Sequence, residues 1–137
     1  MSQAESRNVY LDKPWLSIRW DEDHRCIHAV WTGRPDSVKF RSGTVKILQA
    51  IRDRHAASLL SDNRNLEMIA NQDQVWINES WVPMAVASGL RRIAVVLAPQ
   101  GSVKTASEGI IRRFEDNVFE TRTFDSVDEA MAWVAGS

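Results

Sequence analysis

The apolar positions of this chain alternate in short runs, and between those runs they recur at the spacing of a helix face. Trp15-Leu16-Ser17-Ile18-Arg19-Trp20 alternates loosely and stops at Asp21-Glu22-Asp23-His24, an acidic turn that cannot continue a buried strand. The return run, Arg25 to Thr32, ends at Gly33-Arg34-Pro35-Asp36, so the two runs form a hairpin and Asp36 caps a following helix. In that helix Phe40, Thr44, Ile47, Leu48, Ile51 and His55 fall on one stripe, and Lys39, Arg41, Lys46, Arg52 and Arg54 lie mostly elsewhere. A short strand follows over Ala57 to Ser61 and ends in the polar group Asp62-Asn63-Arg64-Asn65.

The stretch from Asn71 to Gly89 has helical spacing through Ile77, Trp81, Met84 and Ala85, with Asn71 as cap and Gly89 as stop. Pro83 lacks an amide hydrogen, which predicts two short segments or a kink around Trp81 and Val82. Ile93-Ala94-Val95-Val96-Leu97 reads as a strand covered on both faces and as the central one of the sheet. A weaker helical stripe through Val103, Ala106, Ile110 and Phe114 comes next, then a strand over Val118 to Phe124. Ser126 and Glu129 form a capping box for a last helix ending at Gly136. Alternating strands and helices predict an α/β domain: a small, mostly parallel sheet with an N-terminal antiparallel hairpin and helices packed on it. The reading is a flexible arm over 1–12 and a single domain over 13–137.

Length and charge narrow the function. With 137 residues, 44% of them hydrophobic, the chain suits one domain with a sizeable core. Its net charge of -1 supplies no field for nucleic acid or an anionic membrane. Met1 to Asn8 lacks a signal-peptide pattern, and the longest apolar run, Ile93 to Ala98, is far short of the roughly 20 residues that span a bilayer. A cytoplasmic setting without membrane insertion is expected. A lone cysteine, Cys26, allows no internal disulfide and reads as a small buried hydrophobe.

No motif for a known chemistry stands out. Phosphate-binding Gly-Lys-Ser/Thr and dinucleotide Gly-x-Gly-x-x-Gly runs are missing, and Ser107-Glu108-Gly109 lacks the first glycine of a hydrolase elbow. His24 and His28 lie near Asp21 and Asp23, but a turn separates them and the acidic residues read as solvated. No catalytic residue, metal or cofactor is expected. The informative cluster is Asp62, Arg64, Asn71, Asp73 and Trp76, at the carboxyl end of a strand and on the helix after it, where open α/β sheets bind ligands. Arg64 either forks onto a carboxylate or phosphate or pairs internally with Asp62 or Asp73. Trp76 and Trp81 are about 140° apart on a helix of about 3.6 residues per turn, so both cannot point into the core, and one is expected at a surface or pocket.

Several stretches carry a resemblance. Trp31-Thr32-Gly33, Leu60-Ser61-Asp62-Asn63-Arg64, Asp73-Gln74-Val75-Trp76-Ile77, Trp81-Val82-Pro83 and Gly89-Leu90-Arg91-Arg92-Ile93-Ala94-Val95-Val96 resemble SpoIIAA-like bacterial proteins. The element order is similar to the STAS fold of the anti-sigma factor antagonists. The likeness covers about Trp15 to Ala135 and implies a non-enzymatic module that binds a protein partner or its own copy. Those antagonists carry a phosphorylatable serine in an Asp-Ser-Ser-Gly type motif, whereas this chain reads Ile69-Ala70-Asn71-Gln72-Asp73-Gln74 there. The expected binding surface comprises Asp62, Arg64, Asn71, Asp73, Trp76 and Trp81. The alternative is a small-ligand domain, for an apolar, anionic or lipid molecule, with its pocket between Arg64 and Trp76.

Overall fold

The computed structural model describes residues 7–112 and 120–136. Six strands form one sheet in chain order: β1 (Val9–Lys13), β2 (Leu16–Asp21), β3 (Cys26–Gly33), β4 (Ser58–Leu66), β5 (Arg92–Val96) and β6 (Glu120–Phe124). The first three pair antiparallel and the last three join in parallel, as crossovers through helices require. The expected α/β class and antiparallel start are therefore present, in a mixed sheet.

Three boundaries differ from the sequence reading. The segment read as an arm supplies β1, which pairs with β2 through Leu11 and Ile18 and turns the hairpin into a three-stranded meander. Its run is too short and polar to signal a strand alone; pairing with the edge of β2 satisfies its backbone. β4 continues through Asp62 to Leu66, because β3 still pairs with it at Asn65 and Leu66, past a register shift, after its pairing with β5 has ended at Asp62. β5 is buried as expected but lies next to the edge strand β6, so the centre of the sheet is β3 and β4. Phe114, Val118 and Phe119 of the expected last helix–strand pair lie outside the described residues.

Helix α1 (Ser37–Arg54) starts where the Asp36 carboxylate accepts the Lys39 amide at 2.8 Å and buries Phe40, Gly43, Thr44, Ile47, Leu48 and Ile51. Helix α2 (Asn71–Trp76) runs into a π-helical turn, Ile77–Trp81, and then into α3 (Val82–Ala87). The break falls where Pro83 predicts it: Val82 donates its amide to the Ile77 carbonyl, five residues back. Gly89, at φ +97°, stops the segment. α4 (Ser102–Arg112) precedes β6, and α5 (Val127–Ala135) begins with the Ser126 hydroxyl accepting the Glu129 amide.

Strand alternation divides these helices between two faces. One face carries Ile18, Ile27, Ala29, Leu59 and Val95 and packs against α1, the π-turn, α3 and α4. The other carries Cys26, Leu60, Ala94 and Val96 and packs against Ala130, Met131 and Val134 of α5. Cys26 is fully buried, and burial pushes its thiol up to about 12, so it remains an inert core group. Among the described residues no helix is long and apolar enough to cross a membrane.

Candidate functional site

The same alternation splits the expected cluster. Asp62 and Arg64 lie on the face of β4 that carries Leu60, towards α5, while Asp73, Trp76 and Trp81 gather against α1 on the opposite side. A pocket between Arg64 and Trp76 is therefore not formed, because the sheet lies between them. Neighbouring polar residues form one tip in a loop, but in an extended strand they point to opposite faces.

On the α5 side, Arg64 closes onto Asp62. Its Nε and Nη2 donate to Oδ1 and Oδ2 at 3.0 and 2.9 Å, and its backbone amide donates to the same carboxylate at 3.2 Å. The hydrogen bond and the charge of Asp62 both raise the Arg64 pKa, so this fork holds its own counter-ion and is not offered to an external anion. Of the alternatives for Arg64, the internal pair with Asp62 is the one formed.

On the α1 side, Asp73 is 3% exposed. It accepts from Ser37 Oγ and from Arg41 Nε, each at 3.0 Å; its cationic partner is thus Arg41 and not Arg64. The Arg41 guanidinium lies 5.4 Å from the Trp76 ring centroid. Trp76 donates its indole N–H to Thr44 Oγ1 at 3.1 Å, and Trp81 donates to the Thr44 carbonyl at 2.7 Å. Both indoles therefore reach the same residue of α1, contrary to the separation expected on an α-helix. The wider π-turn brings residues five apart onto one side. Trp81 is buried and Trp76 half-buried. Asn71 is exposed and does not cap: Ala70 occupies that position with no side-chain bond, and the Asn71 side chain accepts from Gln74 at 3.4 Å.

Ser37, Arg41 and Thr44 complete this clamp, and reading α2 alone passes over them. Thr44 had a usable signal, as the polar member of an otherwise apolar stripe. Ser37 and Arg41 had none, since their partner lies more than thirty residues away.

Two further features occupy the two faces. Between the sheet and α1, the π-turn and α4 lies a cavity of about 100 Å³, lined by Trp31, Leu59, Trp81, Val95 and Ile110 with Thr44, Ser61, Asn63 and Ser107 among them. On the other face the His28 Nε2 atom is buried without a hydrogen-bond partner among the described residues. Burial lowers its pKa below the ordinary 6.5 and outweighs the opposing pull of Asp62 and Asp21, while Arg19 and Arg64 lower it further. His24 is engaged locally, its amide donating to Asp21 Oδ1 at 2.9 Å.

His28 carries a pH prediction. A histidine whose pKa is depressed by folding is neutral in the native state, and its protonation favours the unfolded chain. Its contribution is present above the unfolded value near 6.5 and is lost as the pH falls towards the folded value. Denaturant unfolding from pH 7 to pH 5 should show declining stability for the wild type and a flatter profile for His28→Gln. Parallel profiles would place the titration elsewhere.

A family model described as SpoIIAA-like matches residues 26–135. No curated protein and no solved structure matches the chain.

Proposed function

The chain belongs to the SpoIIAA-like family, and from that premise we propose that it acts as a non-enzymatic, cytoplasmic protein-interaction module of the anti-sigma factor antagonist type, working without the phosphorylatable serine. The observation that carries the reading is the position of its exposed large apolar side chains. Val38, Met68 and Val75 are 78%, 48% and 42% exposed. All three belong to segments at the carboxyl end of β3 and β4: the first turn of α1, the loop after β4, and α2.

The clamp holds α1 and α2 together, since Ser37 and Arg41 of α1 bond Asp73 and Gln72 donates to Ser37 Oγ at 3.0 Å, and Gln74 Nε2 donates to the Ile69 carbonyl of the loop at 2.9 Å. A surface preorganised in this way loses little entropy on docking, and apolar groups ringed by polar ones are a common form of protein contact. The acidic groups near this end support a binding role over a catalytic one. Asp62 and Asp73 are each engaged by an arginine, which leaves neither carboxylate as a free base. Of the residues expected from the sequence, Trp76 and Trp81 act as support, while Val75 and Met68, which that expectation did not include, present the apolar contact.

The test uses crosslinking of a tagged chain in its native extract, followed by reconstitution of the captured pair and light scattering for self-association. Val75→Glu and Met68→Glu should weaken the reconstituted complex at least about tenfold, because each places a charge in an apolar contact. Asp128→Ala, at an exposed position of α5 on the other face of the sheet, should leave it unchanged. Equal affinity for all three variants would sink the reading.

A further inference from the structure

The cavity beneath α4 lies on the opposite side of the sheet from the Asp62–Arg64 pair; Thr44 and Trp81 border it, but Val38, Met68 and Val75 of the proposed partner surface do not. Its walls are mainly apolar and aromatic, and among the described residues no Asp, Glu, Lys, Arg or His side chain lines it. A charged ligand group would lose its hydration there with no counter-ion to replace it. An uncharged one would not.

The polar atoms of the wall differ in how they are used. Thr44 Oγ1 donates to the Arg41 carbonyl at 2.7 Å and accepts from Trp76. Ser61 Oγ donates to Asn63 Oδ1 at 2.8 Å. Ser107, by contrast, is 4% exposed, and among the described residues its Oγ has no hydrogen-bond partner. Buried hydroxyls in native proteins nearly always find a partner, so one left unpaired in a cavity wall marks where a guest atom would gain most. Serine is also an uneconomical choice on the buried stripe of α4 beside Val103 and Ile110, where alanine would fill the position without an unsatisfied group.

We propose that this cavity is a binding site for a small, uncharged, mainly apolar molecule with a single hydroxyl or carbonyl oxygen, which bonds Ser107 Oγ while its hydrocarbon part lies among Leu59, Trp81, Val95 and Ile110. The volume of about 100 Å³ sets a scale of a few carbon atoms, since an engineered apolar cavity of about 150 Å³ takes up benzene or xenon. The anionic ligand considered from the sequence does not suit this site.

The experiment titrates the full chain with 1-butanol, butanoate and xenon, following backbone amide NMR shifts of the lining residues and the emission of Trp31 and Trp81. 1-Butanol should give saturable shifts centred on Ser107, Val95 and Ile110, and butanoate should give none. Ser107→Ala should weaken 1-butanol about fivefold, the worth of one hydrogen bond, and leave xenon binding unchanged. Val95→Ile, which keeps the strand and adds one methylene to the wall, should weaken both probes. The proposal is overturned if 1-butanol shifts grow linearly without saturation, if butanoate matches it, or if Ser107→Ala binds it as wild type does. A cavity that responds to neither xenon nor 1-butanol holds water alone, which also overturns it.

Discussion

Trp81→Ala is expected to lower the unfolding free energy by about 3–5 kcal/mol, the range for removing a buried aromatic side chain. The indole is 5% exposed and forms part of the core between the sheet and α1. Its loss enlarges a space that already borders a cavity, so neighbouring side chains cannot close over it without moving α4 or the π-turn. Trp81→Phe separates the two contributions. It keeps most of the apolar volume but deletes the N–H that reaches the Thr44 carbonyl at 2.7 Å, and is expected to cost about 1 kcal/mol beyond its loss of volume. Urea unfolding followed by circular dichroism measures both. A Trp81→Ala protein within about 1 kcal/mol of wild type would mean that the indole does not hold the π-turn to α1.

Opposite signs are expected for two glycine substitutions that look alike in the sequence. Gly43→Ala in α1 should destabilise by about 1–2 kcal/mol even though alanine is worth about 1 kcal/mol more than glycine in a helix interior. An added Cβ there would stand 2.6 Å from Leu16 Cδ2 and 2.8 Å from Trp31 Cη2, so two buried side chains of β2 and β3 would have to shift. Gly43 is what lets α1 lie close against β2 and β3. Gly109→Ala in α4 meets nothing within 4 Å and should stabilise by about 0.5–1 kcal/mol. Thermal unfolding of the pair is the check. Two stabilising shifts would show that backbone propensity outweighs the approach of α1 to the sheet.

Much of the architecture was legible because it rests on local rules. Asp36 and Ser126 cap their helices as their side-chain chemistry requires. Pro83 breaks the α2–α3 segment where its missing amide demands. The buried run from Ile93 to Val96 is a strand with both faces covered. Even the weak stripe Val103, Ala106 and Ile110 is helical and faces the core.

The candidate site was legible only in part, and the reason differs from residue to residue. Asp62 and Arg64 looked like members of a ligand cluster because polar residues after a short apolar run suggest a loop. In a strand they turn away from Ser61 and Asn63, and their nearest useful partner is each other. Trp76 and Trp81 were assigned diverging directions on an α-helical assumption, and the π-turn reverses that assumption. The pairing of Asp73 with Arg41 is a contact between distant segments, and no local rule distinguishes Arg41 from the other basic residues of α1.

Capping, strand alternation and the proline break act within a few residues, so the order of elements and most of the core followed from the chain alone. Which polar groups meet, and where space is left over, depends on how α1, the π-turn and α4 pack on one sheet face. Those outcomes are set by contacts across the fold: the clamp at Asp73, the close approach at Gly43, and the cavity beside Ser107. Each brings together atoms from segments far apart in the chain, and only the packed tertiary structure supplies the distances that decide between them.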